Sequence, residues 1–223
     1  MQLSIIIPAL NEADCILQTL QSLQAMREKG HEVILVDGGS QDSTVERARP
    51  LVDQVISAPA CRARQMNMGA QQVHGQVLWF LHADTLVPAN SDQLIFATLG
   101  TNDGWGRFDV RLSGSHLLLR LVERLMNLRS RITGIATGDQ GLFVTRQLFE
   151  DVGRFADIPL MEDIDLSKRL KSRAVPACIR EPLVTSSRRW EQQGVLRTVL
   201  LMWYLRLAYF FGVPAERLAT RYD

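Results

Sequence analysis

The sequence predicts an α/β protein: a mostly parallel, Rossmann-like sheet flanked by helices, with a helical C-terminal extension. Three observations carry this. Short β-rich runs alternate with helix-length stretches through the first hundred residues, the signature of a parallel sheet covered on both faces. Those β-rich runs are continuous apolar blocks, as strands buried on both faces must be. The second half changes character and ends in an apolar segment, Val195–Val213, with 15 apolar residues of 19.

The elements follow in order. Strands are expected at Leu3–Ile7, Glu32–Val36, Gln54–Ser57 and Gln76–Leu81. Helices are expected between them at Ala13–Lys29, Ser43–Arg49 and Arg62–Val73. Trp105–Leu112 reads as a strand. Ser115–Arg131 reads as an amphipathic helix in which Leu118, Leu121, Leu125 and Leu128 form one stripe. That stripe is expected to cover the sheet, leaving Arg120, Glu123, Arg124 and Arg131 on a solvated face. The other reading makes this helix a surface for lipid headgroups or an anionic acceptor. Strands at Gly141–Thr145 and Val175–Arg180 flank a helix that begins at Glu162–Lys171. The expected division is a domain over 1–190 and a helical extension over 191–223. The extension packs on the domain, on a second subunit of a homodimer, or on a membrane surface.

With 223 residues, 46% hydrophobic and 22% charged, the chain is long enough to bury a core and is not a disordered composition. Its formal net charge of +1 argues against a nucleic-acid partner, but the charge is unevenly placed. Residues 1–101 hold 6 Lys and Arg against 10 Asp and Glu; residues 102–223 hold 19 against 14. Arginine outnumbers lysine 22 to 3. Arginine suits bidentate binding of phosphate and carboxylate, although a GC-rich genome also favours it. Cys15, Cys61 and Cys178 form no CxxC pair, so neither a disulfide framework nor a structural zinc site is expected. A cytoplasmic location follows, with peripheral contact at the cytoplasmic face of the membrane left open. Arg206 lies well inside the apolar C-terminal segment and argues for a buried or interfacial helix rather than a span.

Ligands of open parallel sheets bind beyond the carboxyl ends of the strands. The first strand ends in Pro8-Ala9-Leu10-Asn11-Glu12. The second ends in Val36-Asp37-Gly38-Gly39-Ser40, where a carboxylate can bond a base or sugar and the glycines admit a ligand. Neither strand is followed by a G-x-G-x-x-G or a phosphate-binding G-x-x-x-x-G-K-[ST] loop. Arg62 and Arg64 open the third helix as a candidate anion site. The fourth strand runs into His82-Ala83-Asp84, an imidazole and a carboxylate after an apolar run. Asp84 suits a hard divalent cation and His82 a softer one such as Mn²⁺. Met161-Glu162-Asp163-Ile164-Asp165 sets three carboxylates at a helix start, enough for a general base and an orienting neighbour. Ser187-Arg188-Arg189-Trp190 can clamp a diphosphate. Each motif alone also reads as a cap, a turn or a satisfied core residue.

In series, S-I-I-I-P-A-L-N-E, V-D-G-G-S-Q-D-S-T, F-L-H-A-D-T and M-E-D-I-D-L resemble the inverting family 2 glycosyltransferases with the GT-A fold, from Leu3 to about Trp190. The H-A-D-T, G-D-Q-G and S-S-R-R-W segments look like the radical-SAM/selenodomain-associated transferase branch. A looser likeness is to bacterial enzymes that glycosylate carotenoid acids. The resemblance implies that Pro8, Ala9, Glu12 and Asp37 hold base and ribose, with Arg64 near the diphosphate. Asp84 matches the metal-binding aspartate of D-x-D, with His82 in place of the first aspartate. Asp163 matches the general base beside Glu162, and Arg189 and Trp190 match the end of Q-x-x-R-W. The implied partners are a UDP- or GDP-sugar, a divalent cation (Mg or Mn), and a hydroxyl or carboxyl acceptor that is unidentified and open to being lipid-linked. Departures from the processive pattern imply transfer of one sugar. Two alternatives remain: a nucleotidyltransferase, whose G-x-G-x-R-L is absent here, and a nucleotide-sugar-binding protein without catalysis.

Overall fold

A computed structural model describes every residue except Asn102 and Asp223; for Arg189 it describes the backbone and not the side chain. Eight strands form one sheet in the order β3-β2-β1-β4-β7-β6-β8-β5. β1 (Leu3–Ala9), β2 (Glu32–Asp37), β3 (Gln54–Ser57) and β4 (Val77–Phe80) are mutually parallel. Beyond them the sheet is mixed. β5 (Thr85–Leu86), β6 (Trp105–Leu112), β7 (Phe143–Thr145) and β8 (Ala177–Thr185) pair antiparallel except for β6 with β8.

The apolar runs are explained by burial on both faces. On β1, Ile5 and Ile7 point into one core with α1 (Ile16–Glu28) and α4 (Ser91–Leu99). Ile6, between them, points into a second core with α3 (Arg62–Gln72), α6 (Arg146–Asp151) and α7 (Glu162–Lys171). A short α2 (Thr44–Ala48) completes the crossover from β2 to β3. The parallel register aligns the carboxyl ends: Ala9 pairs with Asp37, and Asp37 with Ser57. The first residues after β1, β2 and β4 therefore share one edge.

The helix read at Ser115–Arg131 is α5 (Leu117–Thr133), and its orientation reverses the expectation. Leu119, Val122 and Met126 are its buried apolar positions, while Leu121, Leu125 and Leu128 are each half exposed. Glu123 and Arg120 turn inward, while Arg124 stays exposed as expected. Glu123 accepts from the Leu112 amide at 2.5 Å, Arg120 donates to the Leu112 and Gly114 carbonyls, and Arg131 pairs with Asp109 at 2.5 Å. Backbone groups where β6 gives way to the loop need partners, and these side chains supply them. The leucine stripe is thereby left facing out.

The C-terminal segment forms α8 (Arg188–Gln193), α9 (Val195–Phe210) and α10 (Ala215–Tyr222). Leu205 of α9 and Leu218 of α10 are buried with Met161 and Ile164 at the start of α7. Among the described residues no helix is long and apolar enough to cross a membrane.

Candidate active site

The strand ends build the donor side of the cleft. Asp37 is buried, and its carboxylate accepts from the Gly39 and Ser40 amides at 3.0–3.2 Å and from the Ser40 hydroxyl at 2.5 Å. The loop after β1 is locked onto the loop after β2. Asn11, in the left-handed region at φ 54°, accepts from the Gln41 amide, while its own amide donates to Ser40. Glu12 and Ala13 amides donate to Thr44 and Asp42. Beneath them the buried Gln65 donates to both the Ala9 and Val36 carbonyls, tying Pro8-Ala9 to the end of β2. Glu12 reaches Arg188 at 3.3 Å and accepts from the Cys15 thiol at 3.1 Å. Burial and then Glu12 push that thiol up to about 12, so it stays protonated.

The opposite wall comes from His82, η2 (Gly138–Gln140) and the start of α7. His82 Nδ1 sits 3.2 Å from Asp139. Its Nε2 is buried without a hydrogen-bond partner among the described residues and faces Gly138, where a Cβ would lie 2.3 Å away. Desolvation and Arg62 work against the imidazolium, but the Asp139 hydrogen bond and charge, with Asp84, hold His82 above its ordinary value. Asp84 itself accepts from the Thr185 hydroxyl at 3.4 Å.

Asp163 is half-buried, and its two oxygens accept from the Gly138 amide at 2.8 Å and the Ile164 amide at 2.7 Å. Met161, which caps α7, has φ 69°, an uncommon value for a residue with a side chain and one that clusters at functional sites. Glu162 is buried, and burial followed by the Asp163 charge raises it to about 7 although Arg62, 3.8 Å away, pulls the other way. Arg62, His82, Gly138, Glu162 and Asp163 line one small cavity.

Of the residues singled out in the sequence, the fold brings Pro8, Ala9, Glu12, Asp37, His82, Asp84, Glu162 and Asp163 to this one edge. It turns Arg64 away: Arg64 is exposed and held bidentate by Asp157 at 2.6 and 2.9 Å. Arg62, two positions earlier, is the arginine that faces the cleft. Trp190 packs beside Val195 and Val199 against the β6–α5 cluster, and the side chain of Arg189 lies outside the described residues. Asp139 and Gln65 were not singled out. The G-D-Q-G segment was the available signal for Asp139; Gln65 has none beyond its place on α3.

Carboxylates and arginines gathered at the carboxyl edge of a parallel sheet fit a nucleotide-binding cleft. A family model described as "Glycosyl transferase family 2" matches residues 4–133, more than half of the chain. The chain belongs to glycosyl transferase family 2. Solved structures agree on the GT-A fold. The chain matches TarS 1–349 of S. aureus with 18% identity and TM-score 0.65, covering 84% of this chain and 61% of that one. It matches the mannosyltransferase PcManGT from Pyrobaculum calidifontis, in complex with GDP-Man and Mn²⁺, with 20% identity and TM-score 0.63 over 83% and 56%. It matches glucosyl-3-phosphoglycerate synthase from Mycobacterium tuberculosis, with Mn²⁺, UDP and glucosyl-3-phosphoglycerate, with 19% identity and TM-score 0.66 over 96% and 81%. This family 2 chain thus spans about three fifths of the TarS fragment. No curated protein matches it.

The Mn²⁺ in two of those structures raises the question of fit. Among the described residues no three His, Cys, Asp or Glu side chains converge as a metal cage. His82 turns one ring nitrogen to Asp139 and the other to Gly138. Asp84 stays at the strand edge, and one carboxylate with substrate phosphates is a usual set for Mg²⁺. The donor chemistry fits a cation shared between Asp84 and a diphosphate.

Proposed function

We propose that this family 2 chain is an inverting glycosyltransferase. It moves one sugar from a UDP- or GDP-sugar to a hydroxyl or carboxyl oxygen. The observation that carries the reading is the single edge joining Ala9 and Asp37 on one side to Asp84 and Asp163 on the other. Pro8, Ala9, Glu12 and Asp37 hold the nucleoside. Arg62 and Arg188 replace Arg64 as the arginines nearest the diphosphate. A divalent cation, Mg²⁺ or Mn²⁺, when held by Asp84 and the diphosphate, supplies charge neutralisation for the leaving group.

Asp163 is the general base. Two backbone amides fix its orientation, and it is accessible where Glu162 is not. The acceptor oxygen attacks the anomeric carbon, the bond to the diphosphate breaks with its electron pair, and a hydroxyl acceptor gives its proton to Asp163. A single displacement of this kind inverts the anomeric centre. His82, held by Asp139 and raised above its ordinary value, lies beside the diphosphate rather than on the cation. The H-A-D-T, G-D-Q-G and S-S-R-R-W segments support placing the chain in the radical-SAM-associated branch. The 191–223 extension belongs to the working unit, since Leu205 and Leu218 pack under Met161 and Ile164.

The test is a thermal-shift panel of UDP- and GDP-sugars with Mn²⁺. A donor at 100 times its Kd stabilises the fold by about 2.7 kcal/mol. The expected outcome is a shift with one base family that weakens in Asp84→Asn. No shift with any nucleotide sugar would remove the donor assignment.

A further inference from the structure

A groove of about 490 Å³ runs between α5 and α9. That lies within the roughly 300–1,000 Å³ of ordinary ligand sites. Its walls are apolar: Leu125, Met126, Leu128 and Ile132 from α5, and Trp203 and Leu207 from α9. These include half of the reversed leucine stripe. The rest of the stripe is exposed, as are Leu196 and Leu200 of α9 and Phe210, which also lines the groove.

Charge interrupts the apolar lining at one place. Arg129 and Arg206 both line the groove, together with Asp139. Nε and Nη2 of Arg129 are buried and have no hydrogen-bond partner among the described residues. Arg206 makes no ion pair among the described residues. Desolvation and then the Arg206 charge push Arg129 down to about 10, with Asp163 and Asp139 pulling the other way, and the two guanidinium groups line the same space. Asp163 and Asp139 offset part of that charge, but a buried guanidinium with no hydrogen-bonded anion still costs several kcal/mol. The groove is also continuous with the reaction edge: Asp139 lines it and pairs with His82, and the neighbouring Gly138 amide bonds Asp163.

We infer that this groove is the acceptor site and that its occupant is a membrane-borne anionic lipid, one chain lying between α5 and α9 and the anionic head bound by Arg129 and Arg206. The proposal rests on the transferase reading and names the acceptor class for it. The anion answers the two unpaired arginines, and the chain answers the apolar walls. The bilayer is the source, because the exposed leucines of α5 and α9, with Trp203 and Phe210, suit an interface. The head is delivered beside Asp139, one residue from the amide that orients Asp163.

Dodecyl phosphate below its micelle concentration is the probe, with dodecanol and inorganic phosphate as controls. Direct titration should show dodecyl phosphate binding about tenfold or more tighter than either control, since charge-assisted hydrogen bonds are lost without the anion and burial is lost without the chain. Arg129→Gln with Arg206→Gln should weaken it by about tenfold or more while UDP- or GDP-sugar binding is unchanged. Flotation should carry the protein with vesicles containing phosphatidic acid and leave it behind with pure phosphatidylcholine. Equal binding of all three probes overturns the proposal. So does an unaffected double variant, or a concentration-dependent dimer that blocks the probe. Probe binding without flotation overturns the bilayer as source. Loss of nucleotide-sugar binding in the wild-type protein would instead sink the transferase reading and leave the groove standing.

Discussion

The two neighbouring carboxylates at the start of α7 are made unlike by their surroundings. Asp163 accepts from two amides in the open cleft, whereas Glu162 is 4% exposed and lies against Asp163 and Arg62. Raising Glu162 to about 7 means that the folded chain keeps a proton that the unfolded chain has released. Stability from this group is therefore full below about 4.5 and falls as pH rises towards about 7. Glu162→Gln cannot ionise and lacks that slope. Denaturant unfolding at several pH values should show the variant gaining on wild type across this window, by up to about 3 kcal/mol. Parallel curves would place Glu162 outside the charge cluster. Arg64 teaches the opposite lesson at this scale. Its helix position matched a basic site in the family pattern, but α3 aims it at Asp157 on the surface and aims Arg62 into the cleft.

At the scale of elements, the parallel half of the sheet was legible because each strand is an apolar run ending in polar residues. β1 to β4 and their helices match the expected positions to within a few residues at each end. The mixed half was harder to read. β8 runs to Thr185, well past Arg180, because β6 is eight residues long and β8 follows it through an irregularity between Phe108 and Asp109. A pattern of residues does not show a partner strand's length. The orientation of α5 was unreadable for a related reason. Leucine spacing gives a stripe, but which stripe faces in depends on backbone groups of β6 and the turn after it, which Arg120, Glu123 and Asn127 meet. The β6–β8 pairing allows a sharp check. A Cβ on Gly106 would lie 2.4 Å from the Ala177 carbonyl and 2.6 Å from the Phe143 ring. Gly106→Ala should cost about 1–3 kcal/mol in unfolding free energy, as overpacking does. A neutral effect would mean that this pairing is loose in solution.

At the scale of the whole molecule, the uneven charge becomes a division of tasks. The acidic first half carries Asp37 and Asp84 at the strand ends. The arginine-rich second half neutralises carboxylates in its own fold, at Arg107, Arg120 and Arg131, and sets Arg129 and Arg206 in the groove without an ion pair among the described residues. The candidate site was largely legible in sequence because its motifs sit at strand and helix ends, where chain order and space coincide. The groove was not, because it lies between α5 and α9, which are distant in sequence and look individually like ordinary amphipathic and apolar helices. The central chemistry can be isolated in one measurement: release of nucleoside diphosphate from the donor found in the panel, compared between wild type and Asp163→Asn. General-base loss of this kind costs about 10²–10⁴ in rate. The mechanism predicts a fall of that size with donor affinity intact. Wild-type turnover in Asp163→Asn would contradict it.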